Sequence, residues 1–129
     1  MDNMKILVVD DEPDMQTLFQ QRFRKEIKEG IAEFAFAHSG EGALQYLQLH
    51  HHEAVLILSD INMPGMSGLE LLQHIKQKYA TPPPVVMMIT AYGDSENYNT
   101  AMRLGADDFL TKPIDFHLLK EKLKLQVNG

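Results

Sequence analysis

Lys5-Ile6-Leu7-Val8-Val9-Asp10-Asp11-Glu12-Pro13 is an unbroken apolar run that ends in three carboxylates and a proline. Continuous apolarity over so few residues marks a strand covered on both faces, as in a parallel sheet, because a strand with one wet face would alternate. Runs of the same kind return at Val55-Leu56-Ile57-Leu58 and Val85-Val86-Met87-Met88-Ile89, and less regularly at Asp108-Phe109-Leu110-Thr111. Ala32-Glu33-Phe34-Ala35-Phe36-Ala37 carries one charge and reads as a strand nearer an edge.

Between these runs the apolar residues recur at helical spacing. The clearest stripe is Leu69, Leu72, Ile75 and Tyr79, with Glu70, Gln73, Lys76 and Lys78 between them. Others run from Met15 through Leu18, Phe19, Arg22, Phe23 and Ile27, from Ala43 through Leu44 and Leu47, and from Phe116 through Leu119 and Leu123. Gly30, Gly40 and Gly105, with Thr81-Pro82-Pro83-Pro84, stand where helices are expected to stop. Strand followed by helix, five times over, predicts an α/β doubly wound fold, since parallel neighbours need a crossover and right-handed crossovers pack back onto the sheet.

The chain of 129 residues has the size of one domain. At 44% hydrophobic and 23% charged it is neither disordered nor fibrous in composition. Its net charge of −6 disfavours non-specific binding to nucleic acid or anionic lipid by this domain. There is no cysteine, which removes disulfides, thiolate nucleophiles and Cys-based zinc sites and fits a reducing compartment, so the cytoplasm is the expected location. No apolar run approaches the ~20 residues of a membrane span, and the start lacks a signal-peptide pattern. A single domain over residues 1–129 is expected, alone or cut from a longer protein; no linker is visible after the last helix. His50-His51-His52 has no partner at metal-ligand spacing and is expected in an exposed loop.

Ligands of open α/β sheets sit outside the carboxyl ends of the strands. Collected there are Asp10-Asp11-Glu12, Ser59-Asp60, Thr90 and Thr111-Lys112-Pro113. Converging carboxylates stay ionised only if a cation or strong donors offset their repulsion. All-oxygen donors favour a hard ion such as Mg²⁺, which keeps waters and accepts phosphate oxygens. Carboxylates, a divalent cation, a lysine and a hydroxyl together suit phosphoryl transfer onto a carboxylate.

With Val8-Val9-Asp10-Asp11-Glu12-Pro13, Ser59-Asp60-Ile61-Asn62-Met63-Pro64-Gly65-Met66-Ser67-Gly68-Leu69-Glu70-Leu71, Ile89-Thr90-Ala91 and Gly105-Ala106-Asp107-Asp108-Phe109-Leu110-Thr111-Lys112-Pro113, the sequence resembles a receiver domain of two-component response regulators, of the CheY-like superfamily, over almost its whole length. The resemblance implies a flavodoxin-like (βα)5 fold with a five-stranded parallel sheet in the order 2-1-3-4-5. It implies Asp60 as phosphoacceptor, Asp11 and Asp60 as Mg²⁺ ligands with the Asn62 backbone carbonyl, and Asp10 as a ligand through water. Thr90, Ala91 and Lys112 fall at phosphate-contacting and switch positions, Phe109 matches the switch aromatic, and Pro113 matches a proline held in a cis peptide. The segment from Lys25 to Gly30 is slightly long for the family and is expected to shift the second strand.

Each of these residues also has a plainer reading. Asp10 and Asp11 could cap a helix ahead of Pro13, Asp60 could begin a turn, Thr90 could serve only a strand end, and Lys112 could be a solvated charge. Four motifs in order, each ending a strand, weigh against all four; Phe109 stays open between core residue and switch. A phosphatase of the haloacid-dehalogenase type would need its nucleophile and a second Asp two residues on after the first strand, which this chain lacks. A flavodoxin-like or degenerate receiver that no longer takes phosphate is disfavoured by Asp11, Asp60, Thr90 and Lys112 together. The implied function is a signalling phosphoacceptor, not filed as an enzyme, that assists its own phosphorylation and dephosphorylation. The implied partners are a sensor histidine kinase or phosphotransfer domain. The read-out face is expected on the fourth helix, fifth strand and fifth helix, roughly 94–127, through which a homodimer can form; no nucleic acid and no membrane is expected as partner.

Overall fold

A computed structural model describes residues 4–50, 55–79, 84–91 and 94–123. Five strands, β1 (Met4–Val9), β2 (Ala32–Ala37), β3 (Val55–Asp60), β4 (Val85–Ala91) and β5 (Asp108–Lys112), form one parallel sheet in the order β2-β1-β3-β4-β5. The helices are α1 (Asp14–Arg22), α2 (Arg24–Lys28), α3 (Gly40–Leu49), α4 (Gly68–Lys78), α5 (Ser95–Arg103) and α6 (Phe116–Leu123). This is the expected flavodoxin-like arrangement.

The pleat sends alternate residues of each apolar run to opposite faces. Leu7, Val9, Ile57, Val86 and Met88 meet Ala43 and Leu47 of α3, Leu71, Leu72 and Ile75 of α4, and Ala101 of α5. Ile6, Val8, Leu58, Met87, Ile89 and Leu110 meet Phe19 of α1, Phe23, and Leu119 and Leu123 of α6. Covering both faces leaves no wet side for polar residues, which is why the runs do not alternate. The read-out face expected from sequence corresponds to α5, β5 and α6; its residues 124–127 lie outside the described residues, as do His51 and His52.

Two expectations need correction. The stripe from Met15 to Ile27 is two helices: the chain leaves helical geometry at Phe23 (φ −107°, ψ 21°) and resumes as α2. The break seats the fully buried Phe23 ring against Phe19, Phe34 and Phe116 at centroid distances of 5.8, 4.8 and 6.0 Å and leaves Ile27 exposed. Gly40 stops no helix. It opens α3 behind the N-cap Ser39, whose side chain accepts from the Gly42 N–H, and a β-carbon there would meet the Met66 side chain at 2.8–2.9 Å.

Candidate functional site

Register decides what gathers at the carboxyl edge. Val9 pairs with Ser59, so Asp10 and Asp60, one residue further along each strand, emerge side by side; Ala91 pairs with Lys112 and Thr90 with Thr111, which brings β5 to the same edge. The turn beyond Asp60 is held from below. Gly68, first residue of α4, donates its N–H to the Ile61 carbonyl at 2.8 Å, and a β-carbon on it would run into the Asp60 carbonyl oxygen. Gly65 takes φ +74°, where a side chain is strained. Ser67 and Glu70 close a capping box at the start of α4.

Asp10 and Asp60 are buried, and Lys112 is the cation between them: its Nζ lies 3.0 Å from Asp60 Oδ2, 3.3 Å from Asp10 Oδ2 and 3.4 Å from Glu12 Oε1. Carboxylate oxygens of Asp10, Glu12 and Asp60 lie within 4.8 Å of one another. At that spacing each like-charged pair costs about 3 kcal/mol at an effective dielectric of ~20. Three carboxylates against one ammonium leave an excess of two negative charges, and buried Asp10 Oδ2 has, among the described residues, only its shared ion pair with Lys112 at 3.3 Å. Its other oxygen accepts from the Glu12 N–H at 2.9 Å. The donor set is all oxygen with a divalent deficit of positive charge, which fits Mg²⁺.

Burial pushes the Asp60 carboxyl above its ordinary 3.8, and the charge of Asp10 pushes the same way; the Lys112 hydrogen bond and charge and the Asn62 N–H pull it partly back. Burial alone would lower Lys112. The Asp60 hydrogen bond and charge, with the charge of Asp10, outweigh burial and raise Lys112 to about 12.

Thr90 is buried at the end of β4, and its Oγ1 has no hydrogen-bond partner among the described residues. Ala91 beside it is exposed. Phe109 is half-buried against the core, and the Tyr98 ring of α5 meets it edge-to-face at 4.5 Å. The Lys112–Pro113 peptide is cis. Of the residues singled out in the sequence, the structure thus gathers Asp10, Asp60 and Lys112, places Thr90 and Phe109 on the adjoining strands and exposes Asn62 just beyond β3. Asp11, half-buried, is not one of the three clustered carboxylates, and Glu12 stands in the cluster instead. The signal for Glu12 was its place in the acidic run at the end of β1.

The family model for the response regulator receiver domain matches residues 6–124. The chain belongs to this family. Among curated relatives, this receiver is 38% identical over 122 residues to the response regulator protein PilR of Pseudomonas aeruginosa, a match covering 94% of the chain and 25% of PilR. It is 32% identical over 122 residues to the chemotaxis protein CheY1 of Helicobacter pylori, with 95% of each covered. The receiver therefore spans about a quarter of PilR and nearly all of CheY1. Solved structures agree. A response regulator receiver protein from Pseudomonas putida superposes with a TM-score of 0.80 at 26% identity over 96% of this chain and 98% of that one. The receiver domain of the TMAO respiratory system response regulator TorR superposes with a TM-score of 0.79 at 28% identity, with 96% of each covered. No described helix is long and apolar enough to cross a membrane.

Proposed function

We propose that this chain, a single receiver domain over residues 1–129, alone or within a longer response regulator, accepts a phosphoryl group on Asp60 from the phosphohistidine of a sensor histidine kinase or phosphotransfer domain. The observation that carries the reading is the Asp60 carboxylate, buried and charge-crowded, with Lys112 Nζ 3.0 Å away and, one strand over, the buried Thr90 hydroxyl, which has no hydrogen-bond partner among the described residues. An Asp60 oxygen attacks phosphorus in line, the P–N bond breaks, and the histidine nitrogen recovers the electron pair and takes up a proton. Lys112 offers its ammonium to the arriving phosphoryl oxygens, and Thr90 its hydroxyl. Water later cleaves the acyl phosphate, so the product is a signal of limited life and the domain assists both steps without turning over a substrate of its own.

Asp10, Asp11 and Asp60, with the Asn62 carbonyl, are the residues that would hold Mg²⁺; Asp11 enters through its place in the motif. When bound, the ion neutralises phosphoryl oxygens. Beside the mouth runs a groove of about 560 Å³ whose lining includes Met15, Leu18, Ile114 and Phe116, an apolar flank suited to a docked protein donor. The read-out face is α5, β5 and α6, which also offers a homodimer contact, and the cytoplasm is where such a kinase partner would present its phosphohistidine.

Intact-mass analysis after exposure to a small phosphodonor with Mg²⁺ is expected to show one added phosphoryl group in the wild type and none in Asp60→Asn. A gain that persists in Asp60→Asn places the acceptor elsewhere.

A further inference from the structure

The phosphoacceptor reading leaves one charged side chain of the site without a role. Glu12 sits in the acidic cluster but differs from its neighbours in exposure: 67% of its side chain is open to solvent, against 2% for Asp10 and 7% for Asp60. Its Oε1 lies 3.4 Å from Lys112 Nζ, and the same residue lines the groove along α1 with Met15, Leu18 and Phe116. Glu12 therefore stands at the mouth, between solvent and the two groups that must meet an incoming phosphoryl group, Asp60 and Lys112. Asp10 and Asp60 are fixed in the sheet edge; Glu12 can turn away.

We propose that Glu12 is a specificity-determining residue: a negative charge at the mouth that holds back free, multiply charged phosphoryl donors and favours a protein donor docked along the α1 groove with a cation set against Glu12. The inference rests on the phosphoacceptor reading and deepens it. A phosphoryl group carries nearly two negative charges at neutral pH. A carboxylate beside its path, partly screened by water and salt, slows its approach ~three- to tenfold. Glu12 also competes for Lys112, since an ammonium held by three carboxylates must give up part of that pairing to reach a phosphoryl oxygen. A free donor brings nothing to offset either effect, whereas a docked protein can bring its own Lys or Arg to Glu12.

Acetyl phosphate and phosphoramidate, the first dianionic and the second singly charged at neutral pH, test the idea on the full chain at saturating Mg²⁺. With acetyl phosphate the step is balanced without a proton: an Asp60 oxygen bonds phosphorus as the bond from phosphorus to the acetate oxygen breaks, and acetate leaves with the electron pair. Time courses of intact mass are expected to order the initial rates with wild type slowest, Glu12→Asp closer to wild type than to Glu12→Gln, Glu12→Gln faster than wild type by about three- to tenfold, and Glu12→Lys faster again. The acceleration should be smaller for phosphoramidate and should narrow for both donors in ~1 M salt, where the screening length falls to about 3 Å. Glu12→Gln no faster than wild type, Glu12→Asp as fast as Glu12→Gln, or equal acceleration with both donors would each overturn the proposal. A wild type that gains no mass at all, against an unchanged Asp60→Asn control, overturns the phosphoacceptor reading and this one with it.

Discussion

A carboxylate taken out of water beside a second carboxylate raises the free energy of the folded state unless donors offset the cost, and Asp60 is held in that position. Its carboxyl is raised above the ordinary value, chiefly by burial, even with Lys112 beside it. The folded protein therefore binds a proton at Asp60 more tightly than the unfolded chain does. The cost of the ionised form is fully present above the folded-state pKa and is relieved as pH falls through it. Asp60→Asn removes the charge and keeps the shape, while Lys112 retains Asp10 and Glu12 as partners. Without divalent cation at pH 7 the variant is expected to melt higher by about 4 °C, on the order of 1 kcal/mol, and the gap should close as pH is lowered into the carboxylate range. A variant that melts lower than wild type would show that the Lys112 pairing outweighs burial. Lys112 has the opposite sign: raised from 10.5 to about 12, it contributes stability that is complete below pH 10.5 and is lost only as pH rises through about 12.

At the scale of elements, a phosphoryl group accepted on Asp60 is expected to be sensed at β4 and read out on α5, β5 and α6. The new oxygens would offer a partner to the Thr90 hydroxyl, which has none among the described residues, and the movement of Thr90 would free space toward which the half-buried Phe109 ring can turn, leaving its edge-to-face contact with Tyr98. A shift between two such packings needs only a few kcal/mol of differential interaction. On adding a phosphoryl mimic, amide-exchange changes are expected to concentrate in α5, β5 and α6 and to shrink in Thr90→Ala. Changes confined to the turn after Asp60 would return Phe109 to the core. The strands were legible in the sequence because burial on both faces writes itself as unbroken apolarity, and the meeting of Asp10, Asp60 and Lys112 because a parallel register brings every strand's carboxyl end to one edge. The break at Phe23 was not: α1 and α2 share one apolar stripe, and what turns the chain is the packing of Phe23 against Phe34 and Phe116, residues distant in sequence. Gly40 misled for the same kind of reason, its demand coming from Met66 across the loop. Nor could spacing say that Glu12 rather than Asp11 turns toward Lys112, since adjacent residues leaving a strand end differ only in the local path of the chain.

For the whole molecule, the excess negative charge at the sheet edge would couple a cation bound there to global stability, because the unfolded chain holds no such cluster and a ligand that binds only the folded state raises its melting temperature by mass action. Mg²⁺ at about ten times its dissociation constant is expected to add about 1.4 kcal/mol, or roughly 5 °C for a domain of this size. The sequence motif and the observed geometry assign the ligands differently, and this shift separates them. If Asp11 is a direct ligand, Asp11→Asn abolishes most of the Mg²⁺-induced shift while Asp10→Asn, one water removed, reduces it less. If the carboxylates found together bind the ion as they stand, Asp11→Asn leaves the shift intact, and Glu12→Gln and Asp10→Asn remove it. Differential scanning of the three variants with and without Mg²⁺ decides between them. The motif assignment predicts the first pattern, in which Glu12 keeps its pairing with Lys112 at 3.4 Å and Asp11, next to Asp10 at the end of β1, supplies the direct carboxylate.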